Sequence, residues 1–305
     1  MILRLVLAAI VLATTAHART LSVGPGQAYP TPSAAAAVAQ DGDEVAIQPG
    51  RYVDCAVWRA NRLTITGVGP ADRVVIENRV CEWKAIFVTK GDGITVRNLT
   101  LARASVPWGN GAGIRGEGRD LVVQGVRFIG NQNGILSGTE GGSMRISDSF
   151  FDGNGSCIEA CAHGVYVGRL DLLVVDHSRF IRTREGHHIK SRARRTEVLG
   201  CTILDGPGGT ASYEIEAPYG GALVVRGNTI EKGPNTGNHT AISIGAEGVK
   251  NPTPEIVVEG NRFRNDFPSA TTFVTNFSAT PAVLRANAFS GLVTPLHGPG
   301  RIVPR

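Results

Sequence analysis

Four polar side chains in two neighbouring parts of the chain could carry acid–base chemistry. His188, Lys190 and Arg192 alternate along one segment, and Tyr166 lies about one repeat earlier. Lys, His and Tyr side chains act as a base or an acid when their pKa values are tuned, and a guanidinium grips a carboxylate in a bidentate way. A β-elimination beside a sugar carboxylate needs such groups, together with cations that stabilise the developing enolate-like charge. These four residues are therefore the candidate catalytic residues.

Other polar side chains at related positions are candidates for binding a substrate. They are Glu214, Glu216, His163, His187, Arg115 and Tyr213. Glu214 and Glu216 also allow a rival chemistry. On one face of one strand they are roughly 6.6 Å apart, and glycosidases use carboxylate pairs separated by roughly 5–9.5 Å. Pairing with His188 and Lys190 across neighbouring strands is the purely structural alternative for both glutamates.

A repeat must position these residues. Alternating apolar and polar residues recur in eight copies, at 95–101, 122–128, 145–151, 174–180, 197–203, 224–230, 257–263 and 283–289. A period of 20–50 residues is typical of a solenoid, and the alternation within each copy is typical of strands. A second short strand precedes several copies, with the anchors Ile114, Ile135, Val165, Ile189 and Ile215. Several strands per repeat without a helix between them predict an all-β, single-stranded parallel β-helix.

Stacking the second strands predicts which side chains share a face. Neighbouring strands are about 4.8 Å apart, and side chains alternate faces along a strand. The residue after each anchor therefore points outward, which gives a row of Arg115, Leu136, Tyr166, Lys190 and Glu216. The residue before each anchor is expected to point outward too, which places His188 and Glu214 beside that row, together with Arg192. His163, His187 and Tyr213 come two residues before their anchors. The alternation points them inward, unless the glycines that follow mark a bend.

Two further columns predict structural roles. Asn228, Asn261 and Asn287 fall at one place in successive copies, as stacked amides do in ladders. Cys201 precedes them in the same column and is predicted to be a buried structural thiol. Two disulfides are predicted as well. Cys55 and Cys81 lie about one repeat apart, so the spacing of neighbouring strands suits a bridge, and Cys157 and Cys161 close a small loop.

The N-terminus predicts export. Arg4, the apolar residues 5–12 and the small residues around 16–18 match a secretory signal peptide, so we expect a signal at 1–18 and a single mature domain at 19–305. The apolar run is too short for a membrane span, and no later run approaches ~20 residues. We expect a secreted or periplasmic protein that is a monomer. The net charge of +5 is compatible with an anionic partner or with solubility alone, and the lack of aromatic–basic platforms argues against nucleic acid.

The repeat, the alanine-rich segment after Thr31, and the phrase Gly42-Asp43-Glu44-Val45 … Pro49-Gly50-Arg51-Tyr52 resemble the right-handed parallel β-helix proteins of the pectate-lyase-like superfamily. The resemblance covers nearly the whole mature chain. It implies right-handed coiling, and a short helix around residues 32–40 is expected to cover the N-terminal end of the stack.

The resemblance also bears on function, because the superfamily contains lyases, hydrolases and epimerases of polysaccharides as well as adhesins. Its β-helix lyases support β-elimination of an acidic polysaccharide as the leading hypothesis. Glycoside hydrolysis and non-catalytic glycan binding are the alternatives. No cofactor is predicted. Many such lyases use calcium held by clustered acids, but the sequence has no dense aspartate cluster to support it. Trp58, Trp83 and Trp108 could stack on sugars, although core packing accounts for each more simply.

Overall fold

The computed structural model describes residues 18–303 and forms a parallel β-solenoid. Each complete coil adds one strand to each of three parallel sheets, which have twelve, ten and ten strands. The expected signal peptide lies outside the described residues except for Ala18. Among residues 18–303, no helix has the length and apolar character needed to cross a membrane.

The strands are numbered in chain order. Sheet 1 contains β1 (Thr20–Val23), β2 (Glu44–Ile47), β5 (Thr64–Gly67), β8 (Thr95–Arg97), β11 (Leu121–Gln124), β14 (Ser143–Ser147), β19 (Leu172–Asp176), β22 (Arg195–Leu199), β25 (Ala222–Arg226), β28 (Ile256–Glu259), β31 (Ala282–Arg285) and β34 (Gly300–Val303). Sheet 2 contains β3 (Gly50–Tyr52), β6 (Val74–Glu77), β9 (Thr100–Ala102), β12 (Arg127–Ile129), β15 (Phe150–Asp152), β20 (Arg179–Ile181), β23 (Thr202–Leu204), β26 (Thr229–Lys232), β29 (Arg262–Asn265) and β32 (Ala288–Ser290). Sheet 3 contains β4 (Ala56–Trp58), β7 (Ala85–Thr89), β10 (Ala112–Gly116), β13 (Asn133–Ser137), β18 (Val165–Val167), β21 (Ile189–Ser191), β24 (Ile215–Ala217), β27 (Thr240–Ile244), β30 (Thr271–Asn276) and β33 (Val293–His297). A small hairpin pairs β16 (Ser156–Cys157) with β17 (Cys161–Ala162), and a 3₁₀ turn covers Ala71–Arg73.

Each repeat copy folds as two strands joined by a bend. In the first copy, β8 and β9 flank Asn98, whose φ of 57° lies in the left-handed region that asparagine tolerates. Its side-chain amide donates to the carbonyl oxygen of Gly67 at 2.8 Å, which ties the bend to the preceding coil. The sequence copies therefore mark the corner between sheets 1 and 2, and the upstream strands form sheet 3.

One continuous core fills the solenoid. The last apolar residues of successive copies stack along it: the rings of Phe128 and Phe151 are 4.6 Å apart, and those of Phe151 and Phe180 are 4.3 Å apart. The asparagine ladder is confirmed, because Asn228 donates to Asn261 and Asn261 donates to Asn287, each at 2.9 Å.

The cysteines behave as the sequence predicts. Cys55 and Cys81 form a disulfide with their Cα atoms 5.5 Å apart, and Cys157 and Cys161 form a second one. Cys201 is free and buried, and burial raises the pKa of its thiol to about 12. A thiol that stays protonated is a poor nucleophile, so the predicted structural role fits its surroundings.

The N-terminal helix is shorter than expected. Helix α1 covers Pro32–Ala36, and Thr31 caps it by accepting from the N–H of Ala34. Ala35 packs into the core beside the first coil. The sequence predicted a helix to about residue 40, but the alanines after residue 36 instead form a turn that leads into β2.

Candidate functional site

The outward row on sheet 3 is confirmed. The five anchors are fully buried and pair in register across β10, β13, β18, β21 and β24. The residues after them pair in the same way, so Tyr166 lies beside Lys190 and Lys190 lies beside Glu216. Strand alternation therefore brings an aromatic hydroxyl, an ammonium and a carboxylate onto one face of the solenoid.

Lys190 and Arg192 converge on a single carboxylate that the sequence did not point to. Lys190 Nζ lies 2.7 Å from Glu247 Oε1 and 3.1 Å from Glu216 Oε2. The Arg192 guanidinium donates to Glu247 Oε2 and also to the hydroxyl of Tyr166. Glu247 stands in the loop after β27, and its N–H donates to the carbonyl oxygen of Pro218. The loop thus closes the site from the C-terminal side.

These contacts shift the ionisation of the site. Burial lowers the pKa of Lys190, but the carboxylates of Glu216 and Glu247 outweigh burial, so the pKa is raised overall. Burial raises the pKa of Glu216, and Lys190 only partly opposes this. Burial also acts to raise the pKa of Glu247, yet hydrogen bonds from Lys190 and Arg192 lower it overall. The two carboxyl groups around one ammonium therefore differ in their affinity for a proton.

A column of stacked rings lies beside the row. His163 stacks on His187 with ring centroids 4.6 Å apart, and His187 stacks on Tyr213 at 5.0 Å. The Nδ1 atoms of both histidines accept backbone N–H groups, so their neutral forms carry the proton on Nε2. Burial, with the charges of Lys190 and Arg192, lowers the pKa of His163 to about 3. Burial also holds the pKa of His187 well below its usual value.

The column corrects the inward placement that simple alternation suggested for these three residues. His187 Nε2 lies 3.4 Å from Glu216 Oε2, and the His163 ring packs edge-on against Tyr166 at 5.1 Å. Both histidines therefore contact the outward row. Because they are neutral, they can donate hydrogen bonds without adding charge to the site.

The outward placement of His188 and Glu214 is wrong. Both side chains are completely buried. His188 Nδ1 is hydrogen-bonded to the hydroxyl of Thr183 at 2.7 Å, and its Nε2 lies 3.0 Å from Asp205 Oδ1. Glu214 Oε1 lies 3.2 Å from the ammonium of Lys232, which is also completely buried. These residues form an internal charge network and cannot touch a substrate in the groove.

The reason lies in the bend that precedes each sheet 3 strand. Strands β21 and β24 begin at their anchors, so the residue before each anchor belongs to the corner and not to the alternating strand. In earlier coils this position holds Gly113 and Gly134, where an added Cβ would lie 2.7 and 2.8 Å from the core rings of Phe128 and Phe151. The glycine column faces inward, and His188 and Glu214 continue it.

The buried network is also the one group of His, Cys, Asp and Glu within residues 18–303 whose ligand atoms lie close enough for a metal ion, at distances within 4.8 Å. The donor set does not fit one. Both nitrogens of His188 already have hydrogen-bond partners, and the ammonium of Lys232 supplies the positive charge. Calcium takes 6–8 oxygen ligands, which this cluster does not offer. We therefore interpret it as a structural charge network.

A groove of about 420 Å³ runs along the outer face of sheet 3. Its lining includes Arg115, Tyr166, Arg192 and Tyr219. Arg115 lies in the outward row, as predicted, two strands before Tyr166. The Arg192 guanidinium lies 4.7 Å above the ring of Tyr219, a residue that the repeat pattern did not mark. The groove therefore combines cations with aromatic walls, and its residue Arg192 donates to Glu247.

Solved structures share this architecture. An alginate lyase from Paenibacillus sp. str. FPU-7 is 17% identical, with a TM-score of 0.64 over 91% of this chain and 99% of that chain. A pectin methylesterase from Aspergillus niger is 12% identical, with a TM-score of 0.50 over 93% of this chain and 92% of that chain. No protein-family model and no curated protein matches the sequence. At these identities the likeness shows the fold alone, and the chain is a right-handed parallel β-helix.

Proposed function

We propose that this protein cleaves an acidic polysaccharide by β-elimination in the groove of sheet 3. The observation that carries the proposal is the convergence of Lys190 and Arg192 on the carboxylate of Glu247 beside Tyr166. A pair of cations that already holds one carboxylate is suited to hold the carboxylate of a uronate sugar. The alginate lyase with the same fold supports this substrate class as an analogy.

In the proposed reaction a uronate carboxylate displaces Glu247 and binds Arg192. Lys190 then loses one of the two carboxylates that raise its pKa, and its neutral amine can take the proton from the carbon next to the sugar carboxylate. Arg192 stabilises the charge that moves onto the carboxylate oxygens. The bond to the leaving sugar breaks, a carbon–carbon double bond forms, and the hydroxyl of Tyr166 donates its proton to the leaving oxygen.

Neighbouring groups complete this assignment. Glu216 and the neutral His187 hold Lys190 in place, and Arg115 binds a further acidic residue of the chain. The proposal gives no catalytic role to His188, because its side chain is enclosed. The two disulfides support an oxidising compartment, which agrees with the proposed export.

The test is a panel of polyuronates. We expect at least one to give a product with the ultraviolet absorbance of an unsaturated sugar, at a rate that a chelator does not change, because Arg192 supplies the positive charge. New reducing ends without that absorbance would show hydrolysis instead. Binding of the same glycans without any product would show that the protein is a carbohydrate-binding β-helix without lyase activity.

Glycoside hydrolysis is the second candidate, with a different pair of carboxylates from the one that the sequence suggested. Glu214 is enclosed in the core, so the pair of Glu214 and Glu216 is excluded. Glu216 and Glu247 both contact the same nitrogen of Lys190, a separation compatible with the roughly 5–5.5 Å of retaining glycosidases. The pKa of Glu216 is raised by burial, and hydrogen bonds lower that of Glu247, as an acid and a nucleophile require.

Replacing Glu247 by glutamine separates these mechanisms through the pH profile. For elimination, Lys190 must be deprotonated, so activity rises with pH. Burial acts to lower the pKa of Lys190, and Glu216 and Glu247 raise it overall. Glu247→Gln therefore lowers that pKa, and we expect the ascending limb of kcat/KM to move to lower pH. KM should also fall, because the competing carboxylate is gone.

The matched control is Glu255→Gln, which removes a surface carboxylate paired with Arg195 on sheet 1. We expect its pH profile to coincide with that of the parent. Loss of nearly all activity in Glu247→Gln would contradict displacement and would favour the nucleophile of the hydrolase mechanism.

A further inference from the structure

Two tryptophans stand exposed side by side at the far end of the groove. The side chain of Trp83 is 66% exposed and that of Trp108 is 39% exposed, and their rings lie 5.9 Å apart with a tilt of 43°. The sequence predicted that all three tryptophans pack in the core. Only Trp58 does so, and it is completely buried against Phe87. Exposed aromatic surface of this kind marks a site of interaction more often than chance exposure does.

The backbone conformation around Trp83 directs its side chain into solvent. Glu82 and Trp83 have φ values of 53° and 55°, and the left-handed region is unfavourable for a bulky side chain. The turn is fixed on one side by the Cys55–Cys81 disulfide and on the other by the bridge between Cys81 and Ala85. Strained residues that the surroundings enforce cluster at functional sites.

The tryptophan pair is continuous with the groove. Trp83 precedes β7 and Trp108 precedes β10, which lie four and three strands from the β21 strand of Lys190. At the usual strand spacing this is roughly 14–19 Å along the solenoid. On the outer face of sheet 3, a cluster of buried apolar side chains that includes Ala85, Ala112 and Leu136 extends from this end to Tyr166, which packs against it.

A cation lies in the same coil as Trp108. Arg115 lines the groove, and within the described residues its Nε is buried without a hydrogen-bond partner. The nearest carboxylate oxygen recorded for it, on Glu117, is 3.9 Å away. The Arg115 side chain is 26% exposed, so an acidic sugar residue passing over it would meet the open part of the guanidinium. The same side of sheet 3 thus offers aromatic rings and a cation in the outward row of Lys190.

We propose that Trp83 and Trp108 form a platform that stacks on a sugar ring of the polysaccharide, several residues away from the bond that is cleaved. The flat apolar face of a pyranose packs on indole rings while its hydroxyl groups stay in water, a division that suits the amphipathic tryptophan side chain. The inference rests on the proposed function, because it takes the same polysaccharide as the occupant. It makes this protein an enzyme that prefers long chains over short oligosaccharides.

The experiment compares substrates of two lengths. Trp83→Ala and Trp108→Ala should each raise KM for a long polyuronate roughly tenfold, the loss expected for one exposed aromatic anchor. Both should leave kcat/KM unchanged for a trimer, which is too short to reach β10 from β21. Trp108→Tyr should recover most of the affinity, because it keeps a stacking ring. Leu292→Ala is the control, since it removes an equally exposed apolar side chain from the C-terminal coils.

Calorimetric titration of the same variants with long and short oligouronates measures the binding affinity of the platform without turnover. If the parent cleaves no glycan but binds the long chain more tightly than the trimer, and the tryptophan variants lose that difference, the platform stands while the lyase proposal fails. If the double variant Trp83→Ala, Trp108→Ala keeps the parent's affinity and KM for long chains, the platform is overturned even where cleavage persists. A parent that binds no polyuronate overturns both.

Discussion

Lys190→Arg is expected to lower kcat/KM on the best polyuronate by roughly 10²–10⁴-fold, the usual contribution of a positioned base. Arginine keeps the positive charge between Glu216 and Glu247, so the ion pairs and the fold should persist. It cannot be deprotonated under ordinary conditions, so it cannot take a proton from the substrate. The substitution therefore removes the proposed chemistry and leaves the local electrostatics nearly unchanged.

Three comparisons make this measurement specific. Lys90→Arg is the matched control, because Lys90 is likewise shared between two glutamates, Glu82 and Glu117, but lies four strands away. It should keep the parent's rate. Tyr166→Phe removes the proposed proton donor and should lose a similar factor to Lys190→Arg. A Lys190→Arg variant with parental activity would show that the site needs only a cation at this position, and the base would then be another group.

The fold could be predicted from the sequence because the information is repeated. Each coil restates the same alternation, so the register of Ile114, Ile135, Val165, Ile189 and Ile215 followed from stacking alone, and the outward row came with it. The disulfide between Cys55 and Cys81 follows from the same spacing. A solenoid converts a period along the sequence into adjacency in space, which few other folds do so directly.

The candidate site could be predicted only where it lies on strands. His188 and Glu214 were misplaced because alternation fails in the corners between sheets, and the glycines at 113 and 134 were the available sign of an inward-facing column. Tyr219 lies between β24 and β25, and Glu247 lies after β27, so both stand outside the strands, where no period constrains their position. Lys232 carried a readable signal, since it lies two residues after the core residue Ile230 in one strand and so faces inward.

Lys232→Met is expected to destabilise the protein by about 3–5 kcal/mol, the cost of leaving a buried charge without its partner. Lys232 is completely buried, and its ammonium donates to backbone carbonyls and to Glu214. Burial raises the pKa of Glu214 well above its usual value. Burial acts in the same direction on Asp205, but the hydrogen bond from His188 and the charge of Lys232 lower its pKa overall. Lys232 thus lowers the pKa of both buried carboxyl groups, against the effect of burial.

The pH dependence of this loss has a defined sign. Without Lys232, the pKa values of Asp205 and Glu214 in the folded protein both rise, because the charge that lowers them is gone. Such groups favour folding least when the pH is above their folded values, so the defect should be largest at neutral and alkaline pH and smaller near pH ~4–5, where protons neutralise the pair. Chemical denaturation at both pH values measures this directly.

Two further variants decide whether charge or packing is responsible. Arg226→Met removes an exposed partner of Glu259 and should change the free energy of unfolding by less than about 1 kcal/mol. Lys232→Met combined with Asp205→Asn removes a buried carboxylate together with the buried cation and should recover part of the lost stability, because the core then holds fewer unpaired charges. The double variant is compared with the single variants through the free energy of unfolding. If its loss equals the sum of the two single losses at every pH, the loss comes from packing of the long side chain, and the charge network is not its cause.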